Sequence, residues 1–133
     1  MSGGGEAASR RLVELDEQEC WRLLAGPEIG RLAWVSSGGP VVVPVNFRLA
    51  GRLIVVRVSP YSRQAREIED AEVAFEVDDV VVDRQTGWSV LVQGRAVFDY
   101  RREAGVDVEP WPEGQRPLQV VITPHSITGR RLG

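Results

Sequence analysis

The sequence predicts a mainly β fold: a small antiparallel barrel with flanking helices. Two observations carry that prediction. Valine runs at Val41-Val42-Val43, Val55-Val56 and Val80-Val81-Val82 supply β-branched side chains suited to a pleated, half-buried surface. Short strand-like segments also follow one another through brief turns, the pattern of a meander that closes or nearly closes. Size agrees, because 133 residues fit one domain with one ordinary core.

Residues 1–11 are rich in Gly, Ala and Ser and read as a disordered N-terminal tail; residues 12–133 read as the folded domain. Asp16 is a candidate N-cap with Glu19 three residues on, as in a capping box. Cys20, Leu23 and Leu24 give helical spacing, and Gly26-Pro27 stops the helix. Ile29 to Ser36 is the first strand, Ser37-Gly38-Gly39 a turn, and Pro40 to Leu49 the second strand. Its odd members Val41, Val43, Val45 and Phe47 form one apolar face. Pro44 has no N–H for a ladder, so the strand has a break, a bulge or an edge there. Ala50-Gly51 turns the chain into a third strand, Arg52 to Val58. Ser59 at the N-cap and Pro60 at the first helical position predict a second helix, with Tyr61, Ala65 and Ile68 on one stripe. Strands follow over Glu72 to Asp78, over Trp88 to Phe98 with Gly94 marking a bulge or bend, and over Leu118 to Ile127. Asp83 to Gly87 and residues 99–116 read as connections. The sum is six strands and two helices.

Composition narrows function by exclusion. A net charge of −3 and a pI near 5.2 leave no broad basic face for nucleic acid. One cysteine, Cys20, allows no intrachain disulfide, and with a single histidine, His125, no Cys/His zinc site. The first residues lack the apolar core of a signal peptide, and no apolar run approaches about 18 residues, so no membrane span is expected and a cytoplasmic protein is the reading. Neither a Ser-His-Asp set nor a Gly-rich phosphate loop is present.

Six segments, in order, carry a resemblance: Ile29-Gly30-Arg31-Leu32-Ala33, Val43-Pro44-Val45-Asn46-Phe47, Ser59-Pro60-Tyr61-Ser62-Arg63, Val73 to Asp78, Gly87 to Ala96, and Ile122-Thr123-Pro124 with Thr128-Gly129-Arg130-Arg131. Together the chain resembles the pyridoxamine 5′-phosphate oxidase-like family, the FMN-binding split barrels, and most of all its short actinobacterial-type members. The resemblance implies a six-stranded split antiparallel barrel, a homodimer, and two flavin sites shared between subunits, with FMN the usual coenzyme and a deazaflavin coenzyme in some relatives.

The same resemblance implies a set of site residues. Ser59, Ser62 and Arg63 match the phosphate-contact segment, where a helix start would add exposed amides and a favourable dipole; Arg66 stands one turn on. Val43, Pro44, Val45 and Asn46 would line the flavin ring, which needs backbone N–H and C=O partners. Arg57 and Val58 lie just before the phosphate loop, and Arg57 reads equally as a cofactor contact or as barrel surface. Trp88 and Ser89 would come from the partner subunit. Trp111 reads as a loop staple or a cover for the ring, Trp21 and Trp34 as core or interface, His125 as a structural histidine. Glu76, Asp78 and Asp79 suggest an acid pair, but their alternation with Val77 reads better as a solvated strand end.

Three functions follow. The first is a flavin-dependent oxidoreductase acting on a small molecule, in which the flavin carries the redox chemistry. The second is a non-catalytic flavin-binding or sensor module, and the third a deazaflavin-dependent reductase, for which Arg52, Arg57, Arg63 and Arg66 are candidate basic contacts. Oxidation of vitamin B6 is doubtful, since Gly129-Arg130-Arg131-Leu132 lacks the Arg-x-His substrate contact of true pyridoxamine phosphate oxidases.

Overall fold

The computed structural model describes residues 11–100, 104–105 and 118–133. Seven strands and two short helices run in the order β1 (Leu12–Leu15), α1 (Glu17–Leu24), β2 (Ile29–Ser36), β3 (Gly39–Ala50), β4 (Leu53–Val58), α2 (Arg63–Glu67), β5 (Ala71–Val81), β6 (Thr86–Phe98) and β7 (Leu118–Leu132). Every strand pairing is antiparallel. The sheet order β1-β7-β4-β3-β2-β5-β6 closes on itself because β6 also pairs with β7. Six strands therefore form the barrel, as the sequence predicts. The seventh, β1, is an addition: its four residues lie along β7 from Gly129 to Leu132, beyond the stretch that β4 occupies from Leu118 to Ile122. Four residues are too few to show a period, so no alternation marks this strand.

Closure buries one face of each of the six barrel strands. Leu32, Trp34, Val45, Phe47, Ile54, Val56, Val58, Val73, Phe75, Val77, Val90, Val92, Val120 and Ile122 meet inside. Phe47 and Phe75 pack edge to face with ring centroids 4.9 Å apart. Gly30 exists for this pair, because a Cβ there would overlap the Phe75 ring. Gly94 has a backbone reason instead. A Cβ there would strike the Thr123 carbonyl, at the point where the β6–β7 register slips and His125 becomes the extra residue of a bulge.

Helix α1 starts as the sequence predicts: the Asp16 carboxylate accepts from the Glu19 N–H at 2.8 Å. The Glu19 side chain does not complete a capping box. It instead binds Arg22 and Arg131, which ties α1 to β7. The second helix differs from expectation. Ser59, Pro60 and Tyr61 form a turn closed by Ser62 N–H to the Ser59 carbonyl at 3.0 Å, and Ser62 is the N-cap of a helix that begins at Arg63. Its extended backbone (φ −77°, ψ 164°) interrupts the helix that Pro60 would have opened. Strand β5 also runs past Asp78 to Val81, and β7 past Ile127 to Leu132. A 3₁₀ turn over Val82–Arg84, ending in left-handed Gln85 (φ 53°), makes a tight hairpin of the expected Asp83–Gly87 loop.

Candidate functional site

Pro44 marks the feature that organises the site. β2 pairs with β3 along its length, including Arg31 with Pro44, but β4 pairs only with Asn46–Ala50. Residues 40–45 of β3 thus have no ladder partner on the β4 side among the described residues. Phe47 donates its N–H to the Glu28 carbonyl on the β2 side at 3.0 Å. Since N–H groups alternate sides along a strand, the imino nitrogen of Pro44 faces the open side and costs no ladder bond. The sequence expectation of an edge at Pro44 is met without any break in the strand. The polar groups on that edge are the N–H and C=O of Val42 and the C=O of Pro40 and Pro44.

Around this edge stand most of the residues that the sequence singles out. Val43, Val45 and Val58 turn their side chains into the barrel, Val45 and Val58 fully, so only their backbones are at hand. Asn46 and Arg57 are direct cross-strand neighbours, both on the outer face, and Arg57 is followed across β7 by Gln119. Gln119 is buried and donates to the Asp99 carboxylate at 3.2 Å. The Ser59–Ser62 turn leaves the end of β4.

Two of the expected phosphate contacts already have structural work. The Ser62 hydroxyl donates to the Ser59 carbonyl at 2.6 Å and accepts from the Ala65 N–H at 3.2 Å. Arg63 donates through Nε to Glu67 at 3.0 Å and through Nη2 to the Ser36 hydroxyl at 3.1 Å, while the Trp34 indole donates to the same Glu67 oxygen at 3.2 Å. This network latches α2 onto the β2–β3 turn. Among the described residues Nη1 has no hydrogen-bond partner and is the guanidinium nitrogen left for an anion. Arg66 reaches back to the Tyr61 carbonyl at 3.1 Å and steadies the turn.

Trp88 and Ser89 lie elsewhere in the protomer. Ser89 pairs with Asp78 on β5 and with Arg130 on β7, so β5 and β2 separate it from β3. Trp88 packs its ring against the core. Between Pro44 and Ser89 sits a cluster that the sequence reading underrated. Arg31 Nη1 bonds the Glu76 carboxylate at 2.8 Å and the Asp78 carboxylate at 3.0 Å, with both acid side chains 29% exposed. Burial pushes the Glu76 carboxyl above its ordinary value and the neighbouring Asp78 adds to the rise, against Arg31, which lowers it. The solvated strand end predicted for these acids holds only for exposed Asp79. Their bridging arginine lies 45 residues away in sequence, and only the β2–β5 register brings it alongside.

Trp34 proves to be core, with its N–H serving the α2 latch, and Trp21 is half-buried with the Arg52 guanidinium 5.9 Å from its ring centre. His125 is exposed at the bulge and hydrogen-bonds Glu72. Trp111 and residues 1–10 of the expected tail lie outside the described residues. No described helix is long and apolar enough to cross a membrane.

Comparison with known proteins bears on the family and the fold. The family model described as pyridoxamine 5′-phosphate oxidase matches residues 16–131. The uncharacterized protein Rv0080 of Mycobacterium tuberculosis is 35% identical over 145 residues, covering 99% of this chain and 95% of the relative. The solved structure of an FAD-binding protein from Mycobacterium smegmatis superposes with a TM-score of 0.75 at 30% identity, covering 91% of this chain and 98% of that one. An FAD-binding protein from Mesorhizobium loti shares the fold at 19% identity, with a TM-score of 0.73 and coverage of 93% and 98%.

Proposed function

This chain belongs to the pyridoxamine 5′-phosphate oxidase family, and we propose that it is a flavoprotein that seats the FMN portion of a flavin against the open edge of β3 and acts as an oxidoreductase on a small molecule. The observation that carries this reading is the stretch of β3 that has no ladder partner on its β4 side among the described residues, beside the Ser59–Arg63 turn. Backbone donors and acceptors there match a heteroaromatic ring edge rich in carbonyl and N–H groups. The bound flavin supplies the hydride or electron transfer. The chain's own residues bind and orient it: the Val42 and Pro44 backbone holds the ring edge, the Asn46 amide and Arg57 flank it on the outer face, and Ser59, Ser62 and Arg63 Nη1 meet the phosphate. Val43, Val45 and Val58 back that edge from inside the barrel, their side chains anchored in the core.

Trp88 and Ser89 complete the site from a second copy in a homodimer. Within one protomer Ser89 is three strand spacings from Pro44, roughly 14 Å, and the Arg31 cluster lies between them. A second copy packed on this outer face supplies Ser89 across the ring without that separation.

Purified protein titrated with FMN, FAD and a deazaflavin coenzyme tests the reading. Quenched flavin fluorescence, a raised melting temperature and dimer sedimentation support it; no binding of any of the three refutes it. The FAD-binding relative at 30% identity favours FAD as the second candidate. Flavin that binds but is not reduced by any nicotinamide or small-molecule donor assigns the chain as a non-catalytic or sensor module.

A further inference from the structure

Where β1 lies along β7, the outer face of β6 and β7 holds a cavity of about 550 Å³, inside the size range of small-molecule sites. Arg130 stands on its wall and also borders a second hollow of about 320 Å³ that shares Leu12 and Ser89. The flavin reading makes no use of Arg130.

Its surroundings are unusual for a strand arginine. Arg131, the next residue, is tied to Glu19 at 3.0 Å. Arg130 makes no hydrogen bond or ion pair among the described residues, although it lies cross-strand from Glu14 on β1 and from Ser89 on β6. Asp78, the acid on the far side of Ser89, is already committed to Arg31. The hydroxyls of Ser89 and Thr128, on the same wall, also have no partner among the described residues. Apolar side chains border them: Leu12 and Leu91 are 61% and 39% exposed. One guanidinium and two hydroxyl donors, framed by leucines, match a charged acceptor on an apolar body.

We propose that this cleft binds a small organic anion, a carboxylate or phosphate ester carried on a flat apolar body, with Arg130 as the charge-recognising residue. Because Ser89 borders the cleft and, across the proposed dimer, the coenzyme site of the second copy, the inference rests on the flavin reading for the anion's role: the acidic substrate of the flavin, or the adenylate end of FAD. Arg130 donates to the anion, Ser89 and Thr128 orient it, and Glu14 limits affinity by opposing its charge.

The test is calorimetric titration of the full chain with benzoate, its neutral amide benzamide, and AMP, for the wild type, Arg130→Gln and Glu14→Gln. The expected result is benzoate or AMP binding that weakens at least about tenfold in Arg130→Gln. It should tighten about two- to fivefold in Glu14→Gln, and benzamide should bind far more weakly than benzoate. Benzoate binding to the flavin-loaded protein assigns the cleft to substrate. AMP binding, with FAD preferred over FMN only while Arg130 is present, assigns it to the coenzyme. Equal binding of benzoate and benzamide, an unchanged Arg130→Gln, or no binding of either anion overturns the proposal. Flavin affinity is read separately, so anion binding in a chain that takes up no flavin sinks the coenzyme reading and leaves the cleft standing.

Discussion

Arg63→Ala separates a phosphate contact from a structural one. In the protein Arg63 makes two hydrogen bonds, to Glu67 at 3.0 Å and to Ser36 at 3.1 Å, with its side chain 52% exposed. Bonds that exposed contribute little to folding, at most about 1 kcal/mol together. A charge-assisted bond to a phosphate in a partly closed site is worth more, about 1.5–3 kcal/mol. Arg63→Ala should therefore weaken FMN binding about 10-fold or more while lowering the melting temperature by only a few degrees. Ser36→Ala supplies the control. It removes one anchor of the latch and leaves the charge, so FMN affinity should change less than about threefold. Flavin fluorescence titration reads the affinity, and thermal unfolding reads the stability. Should Arg63→Ala bind FMN within twofold of wild type, the Arg63 guanidinium does not hold the phosphate. Should Ser36→Ala cost as much as Arg63→Ala, the arginine acts only by positioning the helix.

Other expectations follow from single contacts. Gly30→Ala pushes a methyl into Phe75 and should destabilise by about 1–3 kcal/mol, read by chemical denaturation. Asp16→Ala removes the α1 cap and should cost about 1 kcal/mol. Hydrogen bonds from Arg22 and then Arg131 hold the Glu19 carboxyl near pH 2, down from 4.5. A carboxylate lowered in the folded state stabilises above its unfolded value and loses that contribution as pH falls toward 2, so Glu19→Gln should flatten the acid limb of a melting-temperature profile. Glu76 has the opposite sign: raised in the folded state, it favours folding at low pH and loses that benefit as pH rises through its folded value. Glu76→Gln should accordingly gain melting temperature over wild type at pH 8 and match it at pH 4.

The barrel was legible because strand signals are local and repeat. Alternation on β3, the bulge at Gly94 and the cap at Asp16 each reside in a few adjacent residues, and the structure has all three. What escaped was either too short or decided at a distance. Strand β1 has four residues, and its reason for being a strand is the free edge of β7 from Gly129 to Leu132, more than a hundred positions later. The start of α2 departs from the expected Ser59 cap because two adjacent capping signals compete. Ser59-Pro60 and Ser62 each satisfy the local rule, and the choice falls to Ser62, from which Arg63 and Glu67 reach Ser36 and Trp34 across the barrel rim.

The same distinction governs the site. A sequence motif gives residue types along one strand, but binding depends on which edge a backbone offers and which charges are already spent. Pro44 announces an edge locally. That the edge stays open from residue 40 to 45 depends on β4 ending its ladder opposite Asn46, a property of register. Charge is apportioned likewise. Arg31, Arg63 and Arg130 look alike in the sequence, all within matched segments. Among the described residues, Arg31 is consumed by two carboxylates, Arg63 keeps one nitrogen, and Arg130 keeps its whole guanidinium. An anion entering this protein therefore meets three arginines of very different capacity, and the difference is set by the fold and not by the local pattern.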